Sequence, residues 1–118
     1  MFFADDAQAY LISRHATTEE TPFGPEVLVY KVGGKMFATL GIDDADGQGR
    51  MNLKCDPERS IELRHDHDAI LPGYHMNKKH WNTLVLDGSL KAALVRELID
   101  HSYELVRASL TKKQRESL

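Results

Sequence analysis

The 118-residue sequence predicts an α+β fold: a two-layer sandwich with helices on one face of an antiparallel sheet of about five strands. Three observations predict it. Two β-branched and aromatic runs flank Gly33-Gly34. A long stretch near the C-terminus repeats apolar residues in three- and four-residue steps. Within each group of consecutive strand-like runs the links are of hairpin length, which implies antiparallel pairing.

The first element spans about Ala4 to His15, with Phe3, Ala7, Tyr10, Leu11 and Arg14 expected on one face. Asp5 and Asp6 suit its first turn, where carboxylates meet the positive end of the helix dipole. Thr17 to Pro25 holds two prolines and a glycine and reads as a chain break. Val27 to Val32, Gly33-Gly34 and Lys35 to Leu40 form a hairpin, because glycine accepts the positive φ that tight turns demand. Asp43 to Gly49 (DDADGQG) lacks the distal glutamate and flanking helices of an EF-hand calcium loop, and reads as a solvated hairpin tip. A short strand, Arg50 to Cys55, follows.

Asp56 caps the next helix, Pro57 fits its first position and Glu58 its first turn; the helix fades near Asp66. Ile61, Leu63 and Arg64 are expected to face inward. Ile70 to Gly73 reads as a break. Tyr74-His75-Met76 and His80 to Leu86 read as strands around an Asn77-Lys78-Lys79 corner. Asp87-Gly88-Ser89 supplies capping oxygens for a helix from about Leu90 to Leu110. Leu90, Leu94, Leu98, Ile99, Ser102, Leu105, Val106 and Ser109 form its buried stripe. Thr111 and Gln114 form a capping box for a short final helix.

Composition narrows the function. With 42% apolar and 28% charged residues, the chain has a soluble globular balance. One domain over residues 1–118 is expected, as a cytoplasmic monomer or small homo-oligomer. No apolar run reaches the roughly 18 residues of a membrane span, so no membrane partner is expected. The acidic start, MFFADDAQAY, is unlike a signal peptide. The one cysteine, Cys55, excludes an intrachain disulfide framework and any multi-cysteine zinc site. Net charge is −3, divided unevenly: residues 1–73 carry 7 Lys and Arg against 13 Asp and Glu, and residues 74–118 carry 8 against 5. The acidic total argues against a strong nonspecific DNA binder and leaves room for a local basic face.

Six histidines raise the question of a metal. His65 and His67 diverge on a helix, while His75 and His80 could become cross-strand neighbours; no metal and no cofactor are expected. Cys55 lies before a helix N-terminus without a Cys-His-Asn signature and reads as core. Ser102 lies mid-helix, without the strand–turn–helix elbow of a hydrolase serine, and reads as a small packing residue. No phosphate-binding loop or dinucleotide fingerprint occurs.

The densest unusual stretch is PGYHMNKKHWNTLVLD, Pro72 to Asp87. Its lysines suit phosphates and its rings suit bases, a mixture fit for nucleic acid, although an ordinary polar corner anchored by Trp81 has the same composition. Together with PFG (Pro22 to Gly24), VYKVGGKMFA (Val29 to Ala38), NLKCDPE (Asn52 to Glu58) and LIDHSYELV (Leu98 to Val106), this stretch resembles the MmcQ/YjbR family. The resemblance covers nearly the whole chain in the family's order. It implies a YjbR-like fold, related to CyaY-like and secretion-chaperone-like architectures, and a DNA-binding label drawn from a "double wing" shape. It brings no catalytic residues.

The expectation is a non-enzymatic DNA-binding protein. Lys78, Lys79, His75 and His80 would meet phosphates, with Arg50, Lys54, Lys112, Lys113 and Arg115 extending the footprint. The alternative is an adaptor with a protein partner. A third reading, an enzyme or small-ligand protein around His75, His80 and Cys55, requires a pocket where they converge.

Overall fold

The computed structural model describes residues 1–43, 45–74 and 76–118. Along the chain lie helix α1 (Ala4–Ile12), strands β1 (Thr17–Glu20), β2 (Val27–Val32), β3 (Lys35–Ile42) and β4 (Gly49–Lys54), and helix α2 (Pro57–Asp66). Strands β5 (Ile70–Pro72) and β6 (Trp81–Leu86) and helices α3 (Ala92–Ala108) and α4 (Lys112–Glu116) follow. The strands form one antiparallel sheet of six in the order β1-β2-β3-β4-β6-β5. The α+β architecture is the one the sequence predicts.

Two strands depart from that reading. Thr17–Glu20, expected as a break, forms edge strand β1 against β2. Its sequence, TTEE, is weak strand material, and its contacts come from across the sheet. Lys31 meets Glu20 at 2.9 Å, and the Tyr30 hydroxyl donates to Glu19 Oε2 at 2.6 Å. Burial, reinforced by that carboxylate, drives the Tyr30 phenol well above its ordinary pKa. The other strand lies at Ile70–Pro72, where a break was expected, and Tyr74 and Met76 lie in the following loop. Pro72 is tolerated because β5 is an edge strand, where a missing N–H costs no ladder bond. His75 lies outside the described residues.

The helices keep their expected places with altered faces. Helix α1 ends at Ile12; Phe2 is buried while Phe3, the N-cap residue, is half exposed and donates its N–H to Asp6 Oδ2. On α2, Asp56 caps the Arg59 N–H and Pro57 opens the helix as expected. Ser60 and Leu63 face inward, one turn apart, whereas Ile61 is 67% exposed. Helix α3 starts without a side-chain cap at Lys91; Asp87 Oδ1 accepts instead from the Ser89 N–H, within the preceding turn. The α3 stripe is centred on Val95, Leu98, Ile99, Ser102, Tyr103 and Val106, with Leu94 and Leu105 at its margins and Ser109 exposed. The Thr111/Gln114 capping box forms.

The buried residues of α1, α2 and α3 join one core cluster with Tyr30, Val32, Ala38, Leu40, Met51, Leu53, Leu84 and Leu86. These strand positions alternate with Val29, Thr39, Arg50, Asn52, Lys54, Trp81 and Thr83, which therefore occupy the opposite, open face. A β-bulge shifts the β2–β3 register at Tyr30/Lys31: Tyr30 opposes Ala38 and Lys31 opposes Met36, leaving Phe37 as the extra residue. Phe37 thereby also turns toward the helices, where its ring meets Tyr103 edge-on at 5.4 Å.

Ser102 bridges β3 and β4 where their pairing stops, at Ala38–Leu53. Its hydroxyl donates to the Phe37 carbonyl at 2.6 Å and accepts from the Lys54 N–H at 2.9 Å. A fully buried helix serine thus stands between β3 and β4. Ser102→Ala should lower the unfolding free energy by about 1–3 kcal/mol in urea denaturation, because two backbone groups lose their partner. His101, one residue earlier, accepts the Asp56 N–H at Nε2; burial, then the Arg59 charge, lowers its pKa. The unfolded chain then binds more protons than the folded one as pH falls through His101's ordinary value of 6.5. Thermal melts should show stability complete above that pH and declining below it. His101→Gln, which cannot be protonated, should flatten this decline.

Candidate nucleic-acid interface

The strand register sorts the charged residues into two poles. Lys54 opposes Trp81, Leu53 opposes Ala38, Pro72 opposes Asn82 and Val32 opposes Lys35. The Gly33-Gly34 turn, the end of β4 and the 73–80 loop therefore share one end of the sheet. Helix α4 joins them, because Leu110 packs against Gly33 and Lys35 Nζ reaches the Ser109 carbonyl at 3.5 Å. This end collects Lys35, Lys54, Lys78, Lys79, His80, Lys112, Lys113 and Arg115. From β2 to β5 it is about 20 Å wide at ordinary strand spacing.

Arg50 lies at the other pole, although it shares the open face with Lys54. It meets Asp46 at 2.7 Å and Asp43 at 3.7 Å, and it helps hold Asp46 below the usual carboxylate pKa range. Asp5, Asp6 and Asp87 lie toward the same end, through the approach of the N-terminal segment to Gly49 and Gly88. Arg50 is thus set apart from the other predicted cations and already engaged by acids.

Within the basic pole the cations differ in what they do. Arg115 donates to the Leu110 carbonyl, and Lys35 to Ser109, so both meet the C-terminal carbonyls of α3. Lys112 makes a loose pair with Glu116 at 3.9 Å. Lys78 folds back, its ammonium 3.4 Å from the Gly73 carbonyl. Among the described residues, Lys54, Lys79 and Lys113 have no carboxylate on their side chains. Lys78 and Lys79, equivalent in the sequence and both exposed, differ here in that the Lys78 ammonium is turned onto the Gly73 carbonyl.

The 73–80 loop is held from several sides. The Gly73 N–H donates to the Trp81 carbonyl at 2.9 Å, and the next N–H, of Tyr74, donates to Thr83 Oγ1 on the open face at 2.9 Å. Thr83 in turn donates to Asn52 Oδ1, and Asn52 Nδ2 donates to Thr39 Oγ1 at 3.0 Å. This polar row crosses three strands. From the helix side, Arg64 places Nε 2.7 Å from Asn82 Oδ1 and a second nitrogen on the Lys78 carbonyl. Asn77 accepts the Lys79 N–H at its side chain and the His80 and Trp81 N–H groups at its carbonyl. Sequence reading assigned no part in this site to Thr39, Asn52 or Thr83, and gave Arg64 an inward-facing position without its reach to the loop. Each looks ordinary within its own element, and only the register joins it to the loop.

Of the residues of the third reading, His75 lies outside the described ones. Cys55 is buried and meets His80 through backbone, its N–H donating to the His80 carbonyl at 2.8 Å. Burial is the main reason its thiol pKa is raised. The hollow beside it is about 10 Å³, room for one water. An open cleft of about 320 Å³ lies far away, between α1 and the start of α3, with Tyr10 and Arg96 in its wall. Among the described residues no three His, Cys, Asp or Glu side chains converge as a metal site.

Comparison with known proteins gives a consistent picture. A family model described as YjbR matches residues 12–105. The uncharacterized protein YbdF of Escherichia coli O157:H7 is 42% identical over 92 residues, covering 78% of this chain and 74% of that protein. The uncharacterized protein YjbR of Escherichia coli K12 is 34% identical over 88 residues, covering 75% and 73%. The crystal structure of Deinococcus radiodurans protein DR2400 superposes with a TM-score of 0.88 at 42% identity, covering 99% of this chain and 88% of that one.

Gly73 gives a direct check on how tightly the loop is seated. A Cβ there would lie 2.8 Å from Trp81 Cβ and 2.9 Å from its carbonyl oxygen. Gly73→Ala should cost about 1–3 kcal/mol in chemical denaturation and shift the emission of Trp81, the one tryptophan.

Proposed function

The chain belongs to the YjbR family, and on that footing we propose that it is a non-enzymatic DNA-binding protein that meets the phosphate backbone with its basic pole. The observation that carries this reading is the gathering of Lys54, Lys79, Lys112 and Lys113 at one end of the sheet, while Asp43 and Asp46 engage Arg50 at the other. A net charge of −3 repels DNA from most directions. The separated charges orient the molecule so that the basic end arrives first. Such binding is weak at physiological salt and steeply salt-dependent, because its strength comes from displaced counterions.

Nothing comparable favours an adaptor. Of the large exposed apolar side chains, Met1, Phe3 and Ile12 lie on or beside α1, while Phe23, Ile42, Ile61 and Leu71 are spread over the β1–β2 link, β3, α2 and β5. An adaptor groove gathers such residues into one patch.

Titration of labelled DNA across a salt series tests the proposal. With about four phosphates neutralised, log K should fall against log salt with a slope of about −3 to −4 on duplex. Lys79→Ala should reduce that slope by about one, and Arg50→Ala should leave it unchanged. Salt-insensitive binding, or equal losses from both substitutions, would overturn the basic-pole assignment.

A further inference from the structure

The open face beside the basic pole carries more than charge. At that end Trp81 pairs across with Lys54; past the bulge, Met36 pairs with Lys31. These two pairs, Trp81 with Lys54 and Met36 with Lys31, line one strip of the open face. All four side chains are partly accessible, and none of the buried residues of α1, α2 or α3 crosses to cover them. Among the described residues, the one carboxylate paired within the strip is Glu20, on Lys31. At the Trp81 end the chain turns onto the same face, where the Tyr74 N–H binds Thr83 Oγ1 and Tyr74 is 70% exposed.

Resting on the proposed phosphate binding, we infer that this strip is a seat for single-stranded nucleic acid, whose unpaired bases stack on Tyr74 and Trp81 while Lys54 and Lys79 meet its phosphates. The chemistry discriminates against duplex. A stacking ring needs the π-face of a base, and within a duplex those faces are covered by neighbouring pairs. A row of cations alone serves either form. Rings placed beside cations serve the form whose bases are free. The loop that presents Tyr74 is pinned by Thr83, Asn77 and Arg64, so little ordering entropy remains to be lost on binding.

The rings also supply the readout. Trp81 is the one tryptophan, so quenching of its fluorescence reports a base at this strip and nowhere else. Oligo-dT of about 12 nucleotides, a length matched to a small sheet surface, should quench Trp81 and outcompete a duplex of equal length. Tyr74→Ala should weaken oligo-dT binding by roughly tenfold, the usual scale of one lost base–aromatic stack, while leaving duplex affinity unchanged. Duplex binding as tight as oligo-dT, with Trp81 unquenched and Tyr74→Ala silent, would overturn the single-strand seat and leave phosphate binding standing. Failure of both nucleic acids to bind at low salt would overturn both.

Discussion

The hydroxyl of Ser102 joins three elements at the point where the sheet departs from regularity. A β-bulge in the β2–β3 ladder gives the core an additional aromatic ring, Phe37, beside an interruption of the β3–β4 pairing, which goes no further than Ala38–Leu53. Uncompensated, that interruption would leave a buried carbonyl and a strand N–H without partners, at a cost of about 1–3 kcal/mol each. The serine serves both groups from α3, and its position fixes the helix along the sheet. The C-terminus of α3 then falls at the Gly33-Gly34 turn, where Lys35 and Arg115 meet its last carbonyls. The placement of α4, and of Lys112 and Lys113 upon it, follows from that registration.

On the opposite face, polar side chains take the organising part. Thr39, Asn52 and Thr83 sit side by side on β3, β4 and β6, and their hydrogen bonds end on the backbone of the 73–80 loop. Arg64 reaches the same loop from the helix side. The described residues of this loop are held as in a short structural element. Its lysines, both exposed, consequently differ: the Lys78 ammonium is turned onto the Gly73 carbonyl. Rigid presentation favours binding, because the loop need not be ordered when a ligand arrives.

The same strand register separates charge. Chain order interleaves acids and bases, yet antiparallel pairing returns the ends of β2, β4 and β5 and the start of β6 to one edge of the molecule. Arg50 and Lys54, four residues apart on one strand and one face, end at opposite poles. One lies among aspartates and the other beside a tryptophan.

The sequence by itself determined the layer architecture, the Gly-Gly hairpin, the Asp56-Pro57 helix start, the Thr111/Gln114 box and the family. Each is written in local signals: glycine's tolerance of positive φ, proline's missing N–H, capping oxygens, and apolar spacing at a helical or strand period. It did not determine β1, whose TTEE lacks a strand signature and is held by Tyr30 and Lys31, nor β5, whose proline reads locally as a stop. Nor did it reveal which lysines stand free, that Ser102 bridges two strands, or that Thr39, Asn52, Thr83 and Arg64 act together. Those are consequences of register and packing. A hydrogen bond between residues tens of positions apart leaves no periodic trace in the chain, so only the tertiary structure decided them.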